Sequence, residues 1–282
     1  MGVTTITTEN SAIDTAPVSC LMVTLPVPER FDSCRRSIAA FCAQTLPRKE
    51  LVMVVNGGID SARARLLEYV ASLQRRDIRV LTPPGRLNLG QLRNISVENA
   101  TGDVLCQWDD DDLYHPERLD RQFTALAAGG HEAVLLSEVI QYFPQTRSLY
   151  CVNWRATEAG GHTGTLMVRR SAAIKYPTEG SVARLGEDLH VALALQRRGR
   201  LGVIPGMPYL YVYISHGMNS WSDDHHRMLA SKLAISKGLL LRRESEIRSG
   251  LEPYDFGPGE LRVNGNNGLA FKIVSRGHTA SP

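Results

Sequence analysis

The strongest constraint on the fold is an alternation of two hydrophobic patterns along roughly the first 110 residues. Apolar residues recur at helical spacing after Pro28, over residues 61–75 and over residues 91–100. Between these segments lie almost wholly apolar runs, which are typical of strands covered on both faces. The runs span residues 18–25, 51–55, 78–81 and 104–108. This alternation predicts a parallel sheet with helices on both faces.

The second half of the chain has a mixed pattern. Helices are predicted over residues 116–128 and 186–198, and a long basic helix over residues 227–248. Strands are predicted over residues 133–143, 148–154, 165–168 and 210–215. The glycine-rich residues 160–164 are expected to form a flexible loop, and about the last 30 residues a loose wrap or tail.

Composition excludes several classes of protein. Of the 282 residues, 43% are hydrophobic and 22% are charged, which argues against collagen-like, coiled-coil and disordered architectures. The net charge of +3 is too small to indicate a nucleic acid as the main partner. The five cysteines include no CxxC pair, so free thiols in a reducing compartment are expected.

No segment approaches the run of about 18 apolar residues that a membrane span requires. Residues 1–16 lack the apolar core of a signal peptide and are expected to be a disordered tail. A cytoplasmic location is therefore predicted, with peripheral contact at the inner membrane face left open.

The most distinctive local feature is the run Asp109-Asp110-Asp111-Asp112 directly after an apolar strand. Four adjacent carboxylates in a folded site require a cation or many hydrogen-bond donors. In an extended segment Asp109 and Asp111 face the same way and can bind one Mn²⁺ or Mg²⁺, which Asp112 can join where the chain turns. The alternative interpretation is a solvated acidic turn that caps the helix after Pro116.

Several motifs together resemble the family 2 glycosyltransferases of the GT-A fold. They span residues 18–221 in the family's order: VSCLMVTLPVPER, ELVMVVNGG, NLGQLRNISVENATGDVLCQWDDDDLYHPERL, GHTGTLMVRR, GEDLHVALALQRRG and YISHGMNSW. The resemblance implies an α/β fold with a mostly parallel, Rossmann-like nucleotide-binding sheet flanked by helices, a smaller acceptor-side region and a C-terminal helix. It also implies inverting transfer of a sugar from a nucleotide diphosphate donor to an acceptor hydroxyl by metal-assisted displacement.

The same resemblance suggests a division into domains. A glycosyltransferase domain is expected over residues 17–225, with a nucleotide-binding half at 17–115 and an acceptor half at 116–225. Residues 226–282 would form a C-terminal helix and extension.

The resemblance also assigns residues to the donor site. Asp109 and Asp111 match the metal- and diphosphate-binding DxD motif, with Mn²⁺ or Mg²⁺ as the cofactor. The other positions expected to contact the nucleotide sugar are Pro26, Asn56, Arg93 and Asp110. Asn56 departs from the family, which usually has an acidic residue there. A UDP-sugar is the favoured donor, and the base stays open because an amide both donates and accepts hydrogen bonds. Arg93 can also be read as a surface helix residue.

Inverting transfer needs a general base for the acceptor hydroxyl. The family's ED motif corresponds to Glu187-Asp188, which makes Asp188 the expected base and Glu187 the fallback. The alternative is an acid pair stabilised by the helix dipole. His216 matches a histidine that completes the metal shell in many relatives, although a lone histidine is also common as a satisfied polar residue.

Candidate acceptor contacts lie in the second half of the chain. They are Trp154, His162, Thr163 and Trp221, each of which could equally belong to a turn or the core. The acceptor could be a glycan, a lipid-linked molecule or a small molecule. His225 and His226 are expected to be surface residues or weak phosphate contacts. The basic helix could dock on an anionic membrane, pack on the domain or form a homodimer contact.

Two rival functions remain open from the sequence. A nucleotidyltransferase of related fold would release pyrophosphate, but the PVPER loop lacks the glycines that such enzymes usually carry. A non-catalytic nucleotide-sugar or glycan-binding module would not need the two acidic motifs.

Overall fold

The computed structural model describes residues 18–217, 219 and 221–277. The predicted tail at residues 1–16 lies outside these residues. The strands are β1 (Val18–Thr24), β2 (Lys49–Val55), β3 (Ile78–Leu81), β4 (Val104–Gln107), β5 (Leu113–Tyr114), β6 (Ala133–Leu136), β7 (Glu138–Phe143), β8 (Ser148–Asn153), β9 (His162–Arg169), β10 (Leu201–Ile204), β11 (Tyr211–Ile214), β12 (Pro258–Gly265) and β13 (Gly268–Arg276). The α-helices are α1 (Phe31–Cys42), α2 (Asp60–Ser72), α3 (Leu89–Asn99), α4 (Arg118–Ala128), α5 (Glu187–Arg197), α6 (Asp223–Leu233), α7 (Lys237–Arg242) and α8 (Glu244–Leu251).

The larger of two sheets has the strand order β10-β6-β9-β4-β1-β2-β3. Its centre is parallel, because β1 pairs in parallel with β2 and with β4, and β2 pairs in parallel with β3. β9 runs antiparallel between β4 and β6. Every residue of β2 is buried, as expected for a strand covered on both faces. The β-α-β series predicted for the first half of the chain is confirmed.

The second sheet has the order β13-β12-β8-β7-β11-β5. The single strand predicted over residues 133–143 is in fact β6 of the first sheet and β7 of the second. At Ser137, between them, the backbone N–H donates to the carbonyl of Ile204 at 3.0 Å, and the carbonyl accepts from the N–H of Trp154 at 2.7 Å. The chain therefore changes sheets at Ser137. Hydrophobicity could not reveal this point because both strands are buried.

The C-terminal region differs from its prediction. The single helix expected over residues 227–248 is wrong, because α6, α7 and α8 occupy this region. The backbone N–H of Ile235 donates to the carbonyl of Cys151 at 2.9 Å after α6 ends, and the Ser236 side chain accepts from the N–H of Leu239 to begin α7. The expected loose tail is also wrong, because β12 and β13 form an antiparallel hairpin that extends the second sheet.

The glycine-rich segment is not a flexible loop. His162, Thr163 and Gly164 are the first residues of β9, and His162 pairs with Leu136 of β6. The five cysteines are free, as predicted, and four of them are buried. Among the helices of the described chain, none is long and apolar enough to cross a bilayer.

Candidate active site

A pocket of about 490 Å³ opens where the two sheets meet. Its walls include the residues that follow β4, the start of β9, the first turn of α5 and side chains of β11 and α6. Val23 of β1 and Gln107 of β4 bring the carboxyl ends of two parallel strands to it. Open α/β sheets bind their ligands in this position.

The four consecutive aspartates alternate in exposure, as predicted for an extended segment. The side chains of Asp109 and Asp111 are 25% and 14% exposed, and both lie on the pocket wall. Asp110 and Asp112 are only 2% and 1% exposed. All four border the pocket, two of them with partly exposed carboxylates and two with carboxylates bonded to the protein.

Asp110 is held by hydrogen bonds from the Thr24 hydroxyl and the Arg30 guanidinium. Burial and the neighbouring charge of Asp111 raise the pKa of Asp110 to about 6, against the opposing effect of Arg30. Because these bonds occupy its carboxylate, Asp110 anchors Arg30 at the pocket wall.

Asp111 has a basic group on each side. Its Oδ2 accepts from Nη2 of Arg30 at 3.0 Å and lies 3.0 Å from Nε2 of His216. Burial acts to raise the pKa of Asp111, but the hydrogen bond with His216 and the charge of Arg30 outweigh it, and the pKa is lowered. Asp111 is therefore held as a carboxylate.

Both carboxylate oxygens of Asp112 are bonded within the protein. Its carboxylate accepts from the Tyr211 hydroxyl and from the backbone N–H of Ile214 at 2.9 Å. Burial, with the charges of Asp111 and Asp109, raises the pKa of Asp112 well above its ordinary value. Asp112 thus links the acidic run to β11.

Arg93 connects the two acidic motifs. Its Nε donates to Oε1 of Glu187 at 2.8 Å and its Nη2 to Oδ1 of Asp109 at 3.2 Å. The arginine comes from α3, which begins with a capping box between Asn88 and Gln91. The surface interpretation of Arg93 is wrong, because the residue is only 8% exposed and lies on the pocket wall.

The ED motif begins α5, and its two acids have different surroundings. The Glu187 side chain is 4% exposed and paired with Arg93. Asp188 accepts a hydrogen bond from the Thr163 hydroxyl at 2.5 Å and another from the N–H of Leu189 at 2.8 Å. Both acids line the pocket.

Aromatic side chains form the wall near β9 and β11. The rings of Trp154 and His162 lie 4.9 Å apart between centroids, and those of His162 and Tyr213 lie 5.5 Å apart. The Tyr213 hydroxyl is 3.2 Å from Nε2 of His226. Burial lowers the pKa of His162 to about 4, so its imidazole is neutral near pH 7. The surface prediction for His226 is wrong, since it is 6% exposed.

Trp221 is 47% exposed and lies at the start of the segment that leads into α6. Its ring stacks on His225, with centroids 4.7 Å apart and an interplanar angle of 22°. Both residues line the pocket.

Two predicted donor contacts lie away from the pocket wall as it is formed by the described residues. The amide nitrogen of Asn56 donates to the carbonyls of Pro83 and Gly85, at 3.0 and 2.9 Å, and its oxygen accepts from the N–H of Leu87 at 3.2 Å. Asn56 therefore orders the loop after β3. Pro26 is buried, and its carbonyl accepts from the N–H of Ile59 at 2.9 Å.

Sequence reasoning missed Arg30, Tyr211 and Tyr213. Arg30 follows PVPE in the loop after β1, and its place at the carboxyl end of a parallel strand was the available signal. The two tyrosines lie two residues apart on β11, which puts both on one face of the strand, but their partners are distant in sequence.

Comparison with known proteins identifies the family. The family model described as Glycosyl transferase family 2 matches residues 23–173, just over half of the chain. This chain belongs to glycosyl transferase family 2.

One curated relative of this glycosyl transferase family 2 chain is the amylovoran biosynthesis glycosyltransferase AmsE of Erwinia amylovora. The two are 30% identical over 110 residues. The match covers 39% of this chain and 39% of AmsE, so the chain spans about two fifths of the length of this relative.

Solved structures share the fold at low sequence identity. TarS 1-349 of S. aureus superimposes with a TM-score of 0.54 and 14% identity, over 83% of this chain and 73% of TarS 1-349. The mannosyltransferase PcManGT of Pyrobaculum calidifontis has a TM-score of 0.57 and 15% identity, over 84% of this chain and 67% of PcManGT. The glycosyl transferase family 2 chain therefore has the GT-A fold that was expected.

The side chains that could coordinate a metal ion show whether a divalent cation fits this pocket. In the part of the chain that the structure describes, no group of three or more His, Cys, Asp or Glu side chains is arranged as a metal site. Asp111 and His216 nevertheless converge within 3.0 Å, and Asp109 lies on the same pocket wall. Carboxylate oxygens and an imidazole suit Mn²⁺. The residue types of this family 2 site therefore suit a divalent cation.

Proposed function

We propose that this chain moves a sugar from a nucleotide diphosphate donor to the hydroxyl group of an acceptor. One observation carries the proposal: Asp109 and Asp111 share a pocket with Asp188, which comes from a distant part of the chain. A departing diphosphate requires positive charge beside it, and an attacking hydroxyl requires a base. The two acidic motifs match these two requirements.

The proposed donor is a nucleotide sugar. TarS has been solved in complex with UDP and with UDP-GlcNAc, and PcManGT in complex with GDP-Man and Mn²⁺. A UDP-sugar is the first donor to test, and GDP-mannose the second.

Asp109, Asp111 and His216 would hold Mn²⁺ or Mg²⁺. The ion would neutralise the negative charge that grows on the departing diphosphate. Arg30, whose Nη2 lies 3.0 Å from Asp111, adds a fixed positive charge at the same wall.

Asp188 is the proposed general base. It takes the proton of the acceptor hydroxyl while the hydroxyl oxygen forms a bond to the anomeric carbon. The bond from that carbon to the diphosphate oxygen breaks, and its electron pair leaves with the nucleoside diphosphate. Attack opposite the leaving group inverts the anomeric centre. Glu187 is less suited to this role because Arg93 holds its carboxylate at 2.8 Å.

The proposed acceptor contacts are Trp154, His162, Thr163 and Trp221. The exposed Trp221 side chain, stacked on His225, offers an aromatic face at the pocket wall. Such a face suits the apolar C–H surface of a sugar ring. These features support a glycan acceptor.

The test is release of nucleoside diphosphate from UDP-glucose, UDP-galactose, UDP-GlcNAc and GDP-mannose with Mn²⁺. Each donor is supplied alone and with free mono- and disaccharides. We expect one donor to be consumed, and Asp188→Asn to lower kcat about 10²- to 10⁴-fold, because a general base contributes that much. Asp111→Asn should weaken Mn²⁺ binding in calorimetry as well as turnover.

The matched control is Asp60→Asn, the same change at a side chain that is 93% exposed and outside the described pocket wall. It should retain the wild-type rate. Release of pyrophosphate, or full turnover by Asp188→Asn, would overturn the proposal.

A further inference from the structure

The carboxylate of Asp188 is held by donors from two separate elements. Its Oδ1 accepts from the N–H of Leu189, within its own helix, at 2.8 Å. Its Oδ2 accepts from the Thr163 hydroxyl, at the start of β9, at 2.5 Å. A carboxylate with one donor can rotate about its terminal torsion, which is broad in energy, whereas two donors from different elements fix its plane.

When Asp188 is ionised, the hydrogen bond between Thr163 and Asp188 can only run from the threonine hydroxyl to the carboxylate. A carboxylate only accepts hydrogen bonds, and a threonine hydroxyl has a single proton to donate. The proton of Thr163 is therefore committed to Asp188. This leaves Thr163 able to accept a hydrogen bond from a ligand but not to donate one.

Two glycines allow β9 to approach its neighbours closely enough to make this contact. A Cβ added at Gly161 would lie 2.6 Å from the Cβ of Leu135 and 2.9 Å from the carbonyl oxygen of Leu136. A Cβ added at Gly164 would lie 2.9 Å from the Tyr211 hydroxyl. The glycines flanking His162 and Thr163 are thus required by packing, and they bring Thr163 to the pocket.

A buried threonine fixes the same strand. The Thr165 hydroxyl donates to the carbonyl of His162 at 2.6 Å and accepts from the N–H of Leu136 at 2.9 Å. Thr165 is fully buried, so these bonds are shielded from water. The backbone on both sides of Thr163 is consequently rigid, which is what a positioning side chain needs.

We propose that Thr163 is a positioning residue for the general base. Its hydroxyl aims the Asp188 carboxylate at the site of the acceptor hydroxyl, and this role rests on the proposed function. A misplaced catalytic group loses rate even when every reacting group is present, because the reaction depends on near-attack geometry. Thr163 therefore acts through Asp188 on the chemical step and does not bind the donor.

The test compares Thr163→Val with Thr163→Ser, using the donor that the screen identifies. Thr163→Val preserves the shape of the side chain and removes the hydroxyl. It should lower kcat by about 10- to 100-fold and leave the KM for the donor unchanged. Thr163→Ser keeps a hydroxyl group that can donate a hydrogen bond to Asp188, and it should recover most of the rate lost in Thr163→Val. Equal rates for Thr163→Val and the wild type would overturn the proposal, as would a failure of serine to recover the rate in a folded variant.

The control variant is Thr178→Val, which makes the same change at an exposed residue outside the described pocket wall. It should match the wild type. Circular dichroism and thermal unfolding of each variant separate a loss of folding from a loss of positioning.

A double-mutant cycle with Asp188→Asn distinguishes a positioning role from a general packing role. If Thr163 acts only through Asp188, adding Thr163→Val to Asp188→Asn should lower kcat no further. If the kcat losses of the two single variants multiply in the double variant, the proposal is overturned. A wild-type chain that releases no nucleoside diphosphate would instead refute the proposed function. Thr163→Val at the full wild-type rate, with Asp188→Asn inactive, would refute the positioning role alone.

Discussion

Four identical residues in a row have four different surroundings in this protein. Asp110 is bonded to Thr24 and Arg30, and Asp112 to Tyr211 and the backbone of β11. Only the remaining two aspartates face the pocket with partial exposure. The role of each carboxylate is therefore decided by the partners that the fold supplies, and the shared side-chain chemistry decides only that partners are needed.

The two acids of the ED motif also have different bonding partners. Glu187 and Arg93 form an ion pair with side-chain exposures of 4% and 10%. Glu187→Ala would leave the buried guanidinium with one partner fewer, and we expect the free energy of unfolding to fall by about 3–5 kcal/mol. Urea denaturation monitored by circular dichroism measures this change.

The comparison for that variant is Asp60→Ala, which removes an ion pair with Arg63 from a side chain that is 93% exposed. Exposed pairs contribute little, so a change of about 0.5 kcal/mol or less is expected. If Glu187→Ala and Asp60→Ala lost similar amounts of unfolding free energy, the structural role assigned to Glu187 would be contradicted.

Strand β9 shows how a glycine-rich segment can be misread. Glycines suggested a mobile loop, because glycine is conformationally permissive. In the structure Gly161 and Gly164 serve close packing, and the segment continues as an eight-residue strand. The distinction depends on which atoms lie beside the missing side chains, and those atoms belong to β6 and β11.

Gly161→Ala tests this packing role. The added methyl group would meet Leu135 and the Leu136 carbonyl, and overpacking of this kind costs about 1–3 kcal/mol of unfolding free energy. Chemical denaturation provides the measurement. The control is Gly238→Ala in α7, where a new Cβ meets no atom within 4 Å among the described residues and helix propensity improves by up to about 1 kcal/mol. A Gly161→Ala protein as stable as the wild type would show that the position before β9 tolerates a side chain.

The molecule as a whole is organised by two sheets that meet at the pocket. The chain crosses from the first sheet to the second at Ser137, and after α8 it adds a hairpin to the second sheet. There β12 pairs in parallel with β8, more than 100 residues earlier in sequence. Leu261 and Val263 of β12 are buried with Leu240 of α7. The C-terminal hairpin is consequently part of the core that supports β11 and its tyrosines.

Leu261→Ala should destabilise the whole protein if the hairpin belongs to the core. Leu261 is 1% exposed, and the cavity left by such a truncation costs about 2–5 kcal/mol. The midpoint temperature of thermal unfolding and the midpoint urea concentration should both fall. Val274→Ala, on the same hairpin but 74% exposed, should change the unfolding free energy by about 0.5 kcal/mol or less. A loose tail would show no effect from either substitution.

The order of hydrophobic runs was enough to predict the parallel half of the fold, and local motifs were enough to reveal the acidic run at a strand end and the family resemblance. These are local properties, because a buried parallel strand is apolar throughout and its carboxyl end must meet the binding edge. The pattern could not determine the change of sheets at Ser137, the C-terminal hairpin or the different bonding partners of Glu187 and Asp188. Each of these depends on a contact between segments far apart in sequence, such as Arg93 with Glu187 or Thr163 with Asp188. Such contacts exist only after the chain has packed, so only the tertiary structure could decide them.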